Sequence, residues 1–421
     1  MKPGMAQERY HRRFKIAKIP VWYNPRPMNK NVPAILGGEP AFHERVQMVR
    51  PVLPAFTEMA EGIESILRTG MVTKGRYMRD FEQALCEHLG VKNAVAVSSC
   101  TSGMMLTHKA LGLTGEVVVP SFTFMATVSA LVWAGLRPVF AEVDRDTNNL
   151  DPAAAEAAIT PQTTAIVAVH QFGNPADISG LQKVAERHSL KLIFDAAHGF
   201  GALYQGEPVG KQGNAQIFSM SPTKLLIAGE GGIVATNDDT LANQIRMGRE
   251  YGNDGNYDSA FAGLNARMPE LSALLGLQSL KKLEQAASNR NETAALFQEI
   301  LGHLPGIGFQ QVRPGDRHSY REISLTIESQ LFGLTRDELA LALAAENVDT
   351  RKYYDPPVHR QTAYRPYDDG RPLPITDWLA SQSLSLPMWS NMSTEVAMGI
   401  CQSIRRIHEN SALVRQKLGA Q

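Results

Sequence analysis

The stretch Ile217-Phe-Ser-Met-Ser-Pro-Thr-Lys224-Leu-Leu-Ile-Ala-Gly-Glu-Gly-Gly-Ile-Val-Ala235 carries a lysine in a glycine-rich loop between two short β-rich runs. Upstream, another β-rich run ends at Asp195, and most such runs are separated by helix-length amphipathic stretches, such as residues 177–188. Alternation of short strands with helices is typical of a mostly parallel sheet that is covered on both faces. We therefore predict an α/β fold.

Seven runs rich in β-forming residues are the strand candidates of this sheet. They are residues 94–97, 117–119, 139–140, 165–169, 192–194, 217–218 and 233–235. In a mostly parallel sheet, ligands collect at the carboxyl ends of the strands. Residues 98–103, 121–124 and 219–224, together with Asp195, would lie at that edge.

The chain has 421 residues, which exceeds the size at which a single hydrophobic core usually stops growing. We predict an N-terminal extension at residues 1–41, a large domain at 42–262, a linking helix at 263–300 and a small α+β domain at 301–421. The regular part of the linking helix is expected to run from Met268 to about Arg290.

The composition narrows the class of protein. Lys plus Arg and Asp plus Glu both total 42, so no nucleic-acid or membrane-surface partner is expected. The cysteines, Cys86, Cys100 and Cys401, form no CxxC motif, which indicates a reducing compartment and no metal-ligand cluster. The most apolar stretch, residues 117–136, is interrupted by Pro120 and predicts a strand and a helix, not a membrane span. The N-terminus lacks the apolar core of a secretory signal, so the expected location is cytoplasmic.

Lys224 and Asp195 together suggest a particular cofactor. A lysine amine is mostly protonated at neutral pH and is a poor nucleophile unless burial or a carbonyl partner changes its state. An aldehyde cofactor changes that state by forming a Schiff base with the lysine. Such a cofactor withdraws electrons only while its ring nitrogen stays protonated, which requires a fixed carboxylate beside that nitrogen. The pair therefore indicates pyridoxal phosphate chemistry.

Other residues at the same edge could complete such a site. Residues 98–103 precede a helix expected at 104–111, so their backbone donors could cradle a phosphate, or their Ser and Thr side chains could simply cap the helix. Phe124 could stack on a cofactor ring, with Phe122 as the competing choice. His198 lies one helical turn past the strand-end aspartate and could address the same ligand or be a non-catalytic histidine.

Ten segments form an ordered set of motifs along the chain. They are Thr73-Lys-Gly75, Pro120-Ser-Phe-Thr-Phe-Met-Ala-Thr127, Pro138-Val-Phe140, Asn149-Leu-Asp151-Pro152, His170-Gln-Phe-Gly-Asn-Pro-Ala-Asp177, Asp195-Ala-Ala-His198, Ser221-Pro-Thr-Lys224, Gly229-Glu-Gly-Gly-Ile-Val-Ala-Thr-Asn-Asp238, Gly263-Leu-Asn-Ala-Arg-Met-Pro-Glu270 and Pro356-Pro-Val-His359. With this set the chain resembles the DegT/DnrJ/EryC1/StrS family of sugar aminotransferases. The resemblance covers nearly everything from Ile35 to Arg406.

The resemblance implies a pyridoxal phosphate enzyme of the aspartate aminotransferase-like fold (fold type I). Its large, mostly parallel seven-stranded sheet domain would bind the cofactor, and a smaller α+β C-terminal domain would follow. Lys224 matches the Schiff-base lysine, which also moves the proton between substrate carbon and cofactor. Asp195 matches the partner of the pyridinium nitrogen, His198 lies where the family has Gln or His near the cofactor's phenolic oxygen, and Phe124 matches the stacking aromatic.

The resemblance also implies phosphate contacts and a second subunit. Thr101, Ser102 and Ser219 match phosphate-binding positions. Family members form homodimers with shared active sites, in which the Gly-x-Asn-x-Arg-Met segment reaches the neighbouring site. Asn265 would then contact the phosphate across the interface.

Lys224 also indicates the reaction, because a small subset of sugar 3-dehydratases in this family has His in its place. Its presence favours transamination: an amino acid, expected to be L-glutamate, would convert the cofactor to pyridoxamine phosphate, and a keto-sugar would then receive the amine. The leading acceptor is a nucleotide-linked keto-deoxysugar of amino sugar biosynthesis, by analogy with the family. The alternatives are a keto-cyclitol acceptor, a sugar dehydratase, and a non-catalytic regulatory family member.

Five further residues are candidates for binding a diphosphate or hydroxyl groups near the site. An interface or solvent-facing position is the alternative for each of them. They are Arg267, Arg351, Lys352, Tyr353 and His359.

Overall fold

The computed structural model describes residues 32–419 of the chain. Most of the predicted N-terminal extension, residues 1–31, lies outside the described residues, as do the last two residues. The strands of the described chain are β1 Asn93–Val97, β2 Glu116–Pro120, β3 Arg137–Ala141, β4 Thr163–Val169, β5 Lys191–Asp195, β6 Leu203–Tyr204, β7 Glu207–Pro208, β8 Ala215–Ser219, β9 Gly232–Thr236, β10 Ile307–Phe309, β11 Ile323–Ile327 and β12 Ser383–Leu386.

Helices alternate with these strands. The α-helices are α1 Phe56–Thr69, α2 Arg76–Leu89, α3 Cys100–Ala110, α4 Met125–Trp133, α5 Pro152–Ala157, α6 Ile178–Arg187, α7 Asp239–Gly248, α8 Glu270–Leu280, α9 Leu283–Leu301, α10 Ser329–Phe332, α11 Arg336–Ala345, α12 Pro374–Gln382, α13 Thr394–Glu409 and α14 Ser411–Gly419. Short 3-10 helices lie at Ala34–Leu36, Gln171–Gly173, Val358–Arg360 and Arg365–Tyr367. Between residues 32 and 419, no helix combines the length and the apolar character needed to cross a membrane.

The large sheet contains seven strands in the order β1-β9-β8-β5-β4-β2-β3. Neighbouring strands are parallel except at β9, which pairs antiparallel with both β1 and β8. Every one of the seven strand candidates overlaps one of these strands. The predicted α/β fold with a mostly parallel seven-stranded sheet is therefore confirmed.

Both faces of this sheet are buried. In β1, Ala94 and Ala96 pack into the apolar core on one face, together with helices α2 and α6. Val95 and Val97 pack into the core on the other face, together with α3, α4 and α7. Because successive strand residues point to opposite faces and both faces lack solvent, the strands are apolar at consecutive positions. This burial holds the strand ends, and the loops that follow them, in fixed positions.

The C-terminal part of the chain forms a second core around a small antiparallel sheet in the order β10-β11-β12. Helices α11 and α13 and the C-terminal half of α9 cover it, which agrees with an α+β arrangement. Phe42 and Val46, which the sequence prediction assigns to the large domain, pack in this second core. The predicted domain boundaries themselves stay a prediction.

The prediction of one long helix from Met268 to about Arg290 is wrong, because the structure has two helices there. Helix α8 ends at Leu280 and α9 begins at Leu283, with Lys282 between them at φ −105° and ψ 0°. Helix α8 packs on α2 beside the large sheet. Helix α9 begins in the same core with Leu283 and Ala287, and its C-terminal half packs on α13 in the second core. The break therefore turns the chain so that α9 runs from one core into the other, which local periodicity cannot reveal.

Glu270 explains why two distant motifs of the sequence belong together. Its side chain is buried, and its Oε1 accepts hydrogen bonds from the backbone N–H groups of Gly75 at 2.9 Å and Met78 at 3.1 Å. Its Oε2 accepts another from Tyr77 N at 2.8 Å. A carboxylate at a helix N-terminus also interacts favourably with the helix dipole. Glu270 therefore caps helix α2 from the start of α8.

We predict that Glu270→Gln lowers the free energy of unfolding by about 2–4 kcal/mol, because an amide nitrogen then faces buried N–H donors that a carboxylate had satisfied. Denaturant unfolding followed by circular dichroism measures this change. The control is Glu64→Gln on the exposed surface of α1, which should change stability by less than about 0.5 kcal/mol. Equal effects of the two substitutions would contradict the capping role.

Candidate active site

A cavity of about 410 Å³ opens where the loops after β1, β2, β5 and β8 meet the residues that precede β11. Six of the predicted site residues line it: Thr101, Phe124, Asp195, His198, Ser219 and Lys224. The predicted edge of the sheet therefore does bring these residues together. Two predicted site residues, Ser102 and Asn265, do not line the cavity.

The loop after β1 is helical from its start. Helix α3 begins at Cys100, four residues before the expected position, and Ser99 caps it by accepting a hydrogen bond from Ser102 N at 3.1 Å. The first N–H groups of a helix have no intrahelical partner, so those of Cys100 and Thr101 can bind an anion. Ser102 Oγ donates to the Ser99 carbonyl oxygen at 2.9 Å, and its contact with a phosphate stays a prediction.

Two neighbours shape this anion-binding turn. A Cβ atom on Gly232 of β9 would lie 2.5 Å from the carbonyl carbon of Ser99, so only glycine allows the strand to come this close. The Cys100 thiol lies 3.9 Å from the Asp195 carboxylate. Burial and the charge of Asp195 raise the pKa of Cys100 well above its usual value. The thiol therefore stays protonated and acts as a packing residue.

Asp195 is a buried carboxylate at the end of β5. Its Oδ2 accepts a hydrogen bond from Thr127 Oγ1 at 2.6 Å, and its Oδ1 accepts one from Ala197 N at 3.0 Å. Burial raises the pKa of Asp195, while these two hydrogen bonds and the nearby Lys224 oppose that rise. Hydrogen bonds from an adjacent helix and turn thus hold an acid in a fixed orientation towards the cavity.

Lys224 stands in the loop after β8, where its backbone N–H donates to the carbonyl oxygen of Ser221 at 3.0 Å. The side chain is half-buried and lines the cavity. Burial and the positive charge of Arg321 together lower the pKa of the Lys224 amine to about 8, against the opposing charges of Glu322 and Asp195. About one tenth of the amine is then neutral at pH 7, far more than for an exposed lysine.

His198 presents a neutral imidazole to the cavity. Burial and the positive charges of Lys224 and Arg321 lower the pKa of His198 well below its usual value. Its Nδ1 is shielded from solvent and has no hydrogen-bond partner. A buried polar atom without a partner is rare in proteins, so a ligand in the cavity is the natural partner for this ring.

The two candidate aromatic residues have different surroundings. Phe122 is fully buried and packs edge-on against Phe172 and Tyr354, with ring centroids 6.1 and 5.5 Å apart. Phe124 is 49% exposed, and it lines the cavity just before helix α4. Of the two rings, Phe124 is therefore the one that can cover a planar ligand.

A charged pair, Arg321 and Glu322, lies at the cavity wall and was not predicted from the sequence. Arg321 Nη1 bonds Glu322 Oε2, and both side chains are buried. The only sequence signal is two charged residues directly before an apolar strand of the small domain. Tyr353, one of the five further candidates, also lines the cavity, with the Arg321 guanidinium 5.6 Å from its ring centroid.

Three other candidates, Lys352, Arg351 and His359, do not line the cavity. Lys352 Nζ forms an ion pair with Asp337 at 2.6 Å, and Arg351 is exposed. His359 is buried, with Nδ1 2.6 Å from the hydroxyl of Ser121. His359 therefore holds the loop after β2 in place from behind, outside the cavity wall.

Asn265 and Arg267 do not line the cavity, although Ala266 between them accepts a hydrogen bond from Ser98 N in the loop after β1, at 2.8 Å. Asn265 Oδ1 accepts a hydrogen bond from Arg267 Nη2 at 3.0 Å, and Arg267 Nη1 pairs with Glu250 at 3.2 Å. The contact of Asn265 with a phosphate in a neighbouring chain stays a prediction.

The residues around the cavity fit pyridoxal phosphate. The turn at Thr101 offers free backbone donors for a phosphate, Phe124 offers a ring face, and Asp195 offers a carboxylate for a ring nitrogen. Lys224 supplies an amine with a lowered pKa, and His198 supplies an unpartnered Nδ1. These groups are the complement of a planar, phosphorylated pyridine aldehyde.

Comparison with known proteins identifies the family. Residues 56–405 match the model of the DegT/DnrJ/EryC1/StrS aminotransferase family. The spore coat polysaccharide biosynthesis protein SpsC of Bacillus subtilis (strain 168) is 33% identical over 371 residues, which cover 83% of this chain and 94% of SpsC.

Solved structures agree with this assignment. The crystal structure of DesI in the presence of its TDP-sugar product has a TM-score of 0.84 and 36% identity, covering 92% of this chain and 98% of DesI. The crystal structure of DesV of S. venezuelae in complex with a ketimine intermediate has a TM-score of 0.81 and 33% identity, covering 87% of this chain and 99% of DesV. The chain therefore belongs to the DegT/DnrJ/EryC1/StrS aminotransferase family, and it is a pyridoxal phosphate-dependent aminotransferase.

Proposed function

We propose that this enzyme moves an amino group from L-glutamate to a keto-sugar, and that the acceptor is a nucleotide-linked keto-deoxysugar. One cavity combines the Lys224 amine, the Asp195 carboxylate and the anion-binding turn of helix α3, and this combination is the main support for the proposal. A non-catalytic regulatory protein has no physical need for this combination. The intact lysine favours amination over dehydration.

The bound cofactor supplies an electron sink for the carbon that loses or gains a proton. Lys224, whose Nζ has a lowered pKa, would hold the cofactor by its carbonyl group and would carry the proton to and from that carbon. Asp195 would hold the ring nitrogen in its protonated form, because a buried carboxylate next to a cation favours the charged form of that cation. Thr127 and Ala197 orient the carboxylate for this contact.

The support for a sugar acceptor comes from the relatives. DesI was crystallised with its TDP-sugar product, and SpsC takes part in making a spore coat polysaccharide. The cavity wall also includes side chains that can hydrogen-bond hydroxyl groups, such as Ser221, Glu230 and Tyr353. A few polar groups on a largely apolar wall could therefore bind the hydroxyl groups of a sugar.

We also propose a homodimer with shared active sites. Asn265 lies outside the cavity of its own chain, and the surface beside its segment exposes the apolar side chains Met71, Val72 and Leu271. Exposed apolar groups clustered in this way are typical of protein interfaces. A second copy that covers them would bring its Asn265 to the phosphate.

The location that we propose is the cytoplasm. Cys86, Cys100 and Cys401 are all free thiols in the structure. Free thiols persist in a reducing compartment.

The first test is optical. We expect the purified, pyridoxal phosphate-loaded enzyme to absorb in the visible range and to lose that band when L-glutamate is added without an acceptor, because the cofactor is converted to pyridoxamine phosphate. Lys224→Ala should slow this conversion by at least about 100-fold, the lower end of what a positioned proton carrier contributes. Stopped-flow absorbance measures both rates.

Two outcomes would contradict the aminotransferase proposal. One is a loaded wild-type enzyme whose spectrum does not respond to glutamate or to any other amino acid. The other is loss of a sugar hydroxyl without consumption of an amino donor, which would indicate a dehydratase. Screening nucleotide-linked keto-sugars and keto-cyclitols against the aminated form then identifies the acceptor.

The second prediction concerns Asp195. Asp195→Asn keeps the shape but removes a charge-assisted hydrogen bond worth about 2–3 kcal/mol, so turnover should fall about 100-fold. Cofactor occupancy, measured from absorbance after dialysis, should change much less, because the phosphate and ring contacts persist. A variant with unchanged turnover would remove Asp195 from the mechanism.

The third prediction concerns pH. In the protein freed of cofactor, the rate at which Lys224 captures pyridoxal phosphate should rise with pH and level off above a midpoint of about 8, because only the neutral amine attacks. Arg321→Lys keeps a positive charge beside the amine and should leave the midpoint nearly unchanged, whereas Arg321→Met should raise it. A midpoint above 10 in the wild type would contradict the lowered pKa.

A further inference from the structure

The charged pair Arg321–Glu322 stands on the cavity wall, and the proposed transamination steps do not use it. The backbone before β11 holds the pair in place: Arg290 Nη1 donates to the carbonyl oxygens of Tyr320 and Arg321, both at 2.8 Å. Arg321 N donates to the carbonyl oxygen of Phe172 at 3.1 Å, which ties this strand to the large domain. Such a rigidly held pair is suited to recognition.

Two polar atoms of this pair have no hydrogen-bond partner. Arg321 Nη1 bonds Glu322 Oε2, but Arg321 Nε and Glu322 Oε1 are shielded from solvent and have no partner. A buried donor or acceptor without a partner is costly, so few persist in folded proteins. The two idle atoms belong to residues that line the same cavity. A ligand in that cavity could supply the missing partners after a small rotation of the carboxylate, whose terminal torsion is soft.

The charge of the pair limits what this ligand can be. Arg321 and Glu322 neutralise each other, so the pair has no net charge to attract an anion. A ligand carboxylate or phosphate that approached Arg321 Nε would also meet the negative charge of Glu322. A hydroxyl group has neither difficulty, because its oxygen can accept from Arg321 and its hydrogen can be donated to Glu322.

We propose that Arg321 and Glu322 together bind a hydroxyl group of the keto acceptor, close to its carbonyl carbon. This inference rests on the proposed function and narrows its substrate class to ketones that carry a free hydroxyl beside the carbonyl. Proximity to the reacting carbon follows from the shared cavity, whose wall also includes the Lys224 side chain. Tyr353, under the Arg321 guanidinium, forms the adjoining part of this wall.

A hydroxyl group beside a ketone occurs both in nucleotide-linked keto-sugars and in keto-cyclitols, so the test has two arms, one for each kind of compound. One arm uses a nucleoside diphosphate-linked ketohexose and its analogue without the hydroxyl next to the carbonyl. The other uses a pentahydroxycyclohexanone and the corresponding monodeoxy ketone. Each ketone is also reduced to its alcohol, which cannot react, and the dissociation constant of that alcohol from the cofactor-loaded enzyme is measured by calorimetry.

Glu322→Gln keeps the size of the side chain and weakens the hydroxyl contact. It should raise the dissociation constant and the KM of the hydroxylated probe by about 10- to 100-fold in at least one arm. The deoxy probe, which lacks the hydroxyl, should change by less than about threefold, and the glutamate half-reaction should be slowed far less than the acceptor half-reaction. Tyr320→Phe is the matched control, because Tyr320 precedes the pair but packs in the small-domain core.

Arg321→Lys is the second variant. It keeps the positive charge beside Glu322 but removes Nε, so it should also weaken binding of the hydroxylated probe and leave binding of the deoxy probe nearly unchanged. It replaces Glu322→Gln in the test if that variant does not fold. The thermal midpoint of each variant establishes that it is folded.

Equal weakening of hydroxylated and deoxy probes, or no weakening in either arm, overturns the inference. Loss of the glutamate half-reaction with acceptor binding intact also overturns it, because the pair would then serve the amino donor. A wild-type enzyme whose cofactor spectrum does not respond to any amino acid would contradict the proposed function instead. Binding of the unreactive alcohol to Glu322→Gln is measured without any catalytic turnover. A failure of the hydroxyl-binding inference can therefore be distinguished from a failure of the proposed aminotransferase function.

Discussion

The buried carboxylate of Asp195 is the constraint around which the site is organised. An acid at the end of a fully buried strand is tolerated only when hydrogen bonds and opposite charge compensate its loss of water. Thr127 Oγ1, Ala197 N and the nearby Lys224 amine provide this compensation from three separate segments. Each of those segments is therefore held at a defined position relative to the strand end, and the cavity has its shape because of it.

The small domain completes the site through its backbone. Ser319 N and Arg321 N donate to the carbonyl oxygens of Gly173 and Phe172, in the short helical turn that follows β4. Phe172 has a left-handed φ of 58°, which is unusual for a bulky residue, and its ring packs against both Phe122 and Tyr354. The turn joins the two cores, so the charged pair before β11 reaches a cavity that is otherwise built from the large sheet.

Much of this arrangement was predictable from the sequence. Strand candidates such as residues 165–169 and 192–194 were recognised because both faces of the sheet are buried, which leaves continuous apolar runs in the sequence. Lys224, Asp195 and Phe124 were found because a cofactor site needs specific residue types directly after such strands. The break at Lys282 was missed because the apolar periodicity continues from α8 into α9, while the change of direction depends on how α9 packs against both cores.

Arg321 and Glu322 were missed for a different reason, since a charged pair before a strand is usually a solvated surface feature. Only the folded chain shows that Arg290 and the turn at Phe172 place this pair inside a cavity. The sequence by itself determined the sheet, the family and the order of the segments that line the cavity, because these depend on local patterning and on residue types at strand ends. Tertiary structure alone decided which polar atoms are left without partners at the cavity wall, because that depends on packing between segments far apart in the chain.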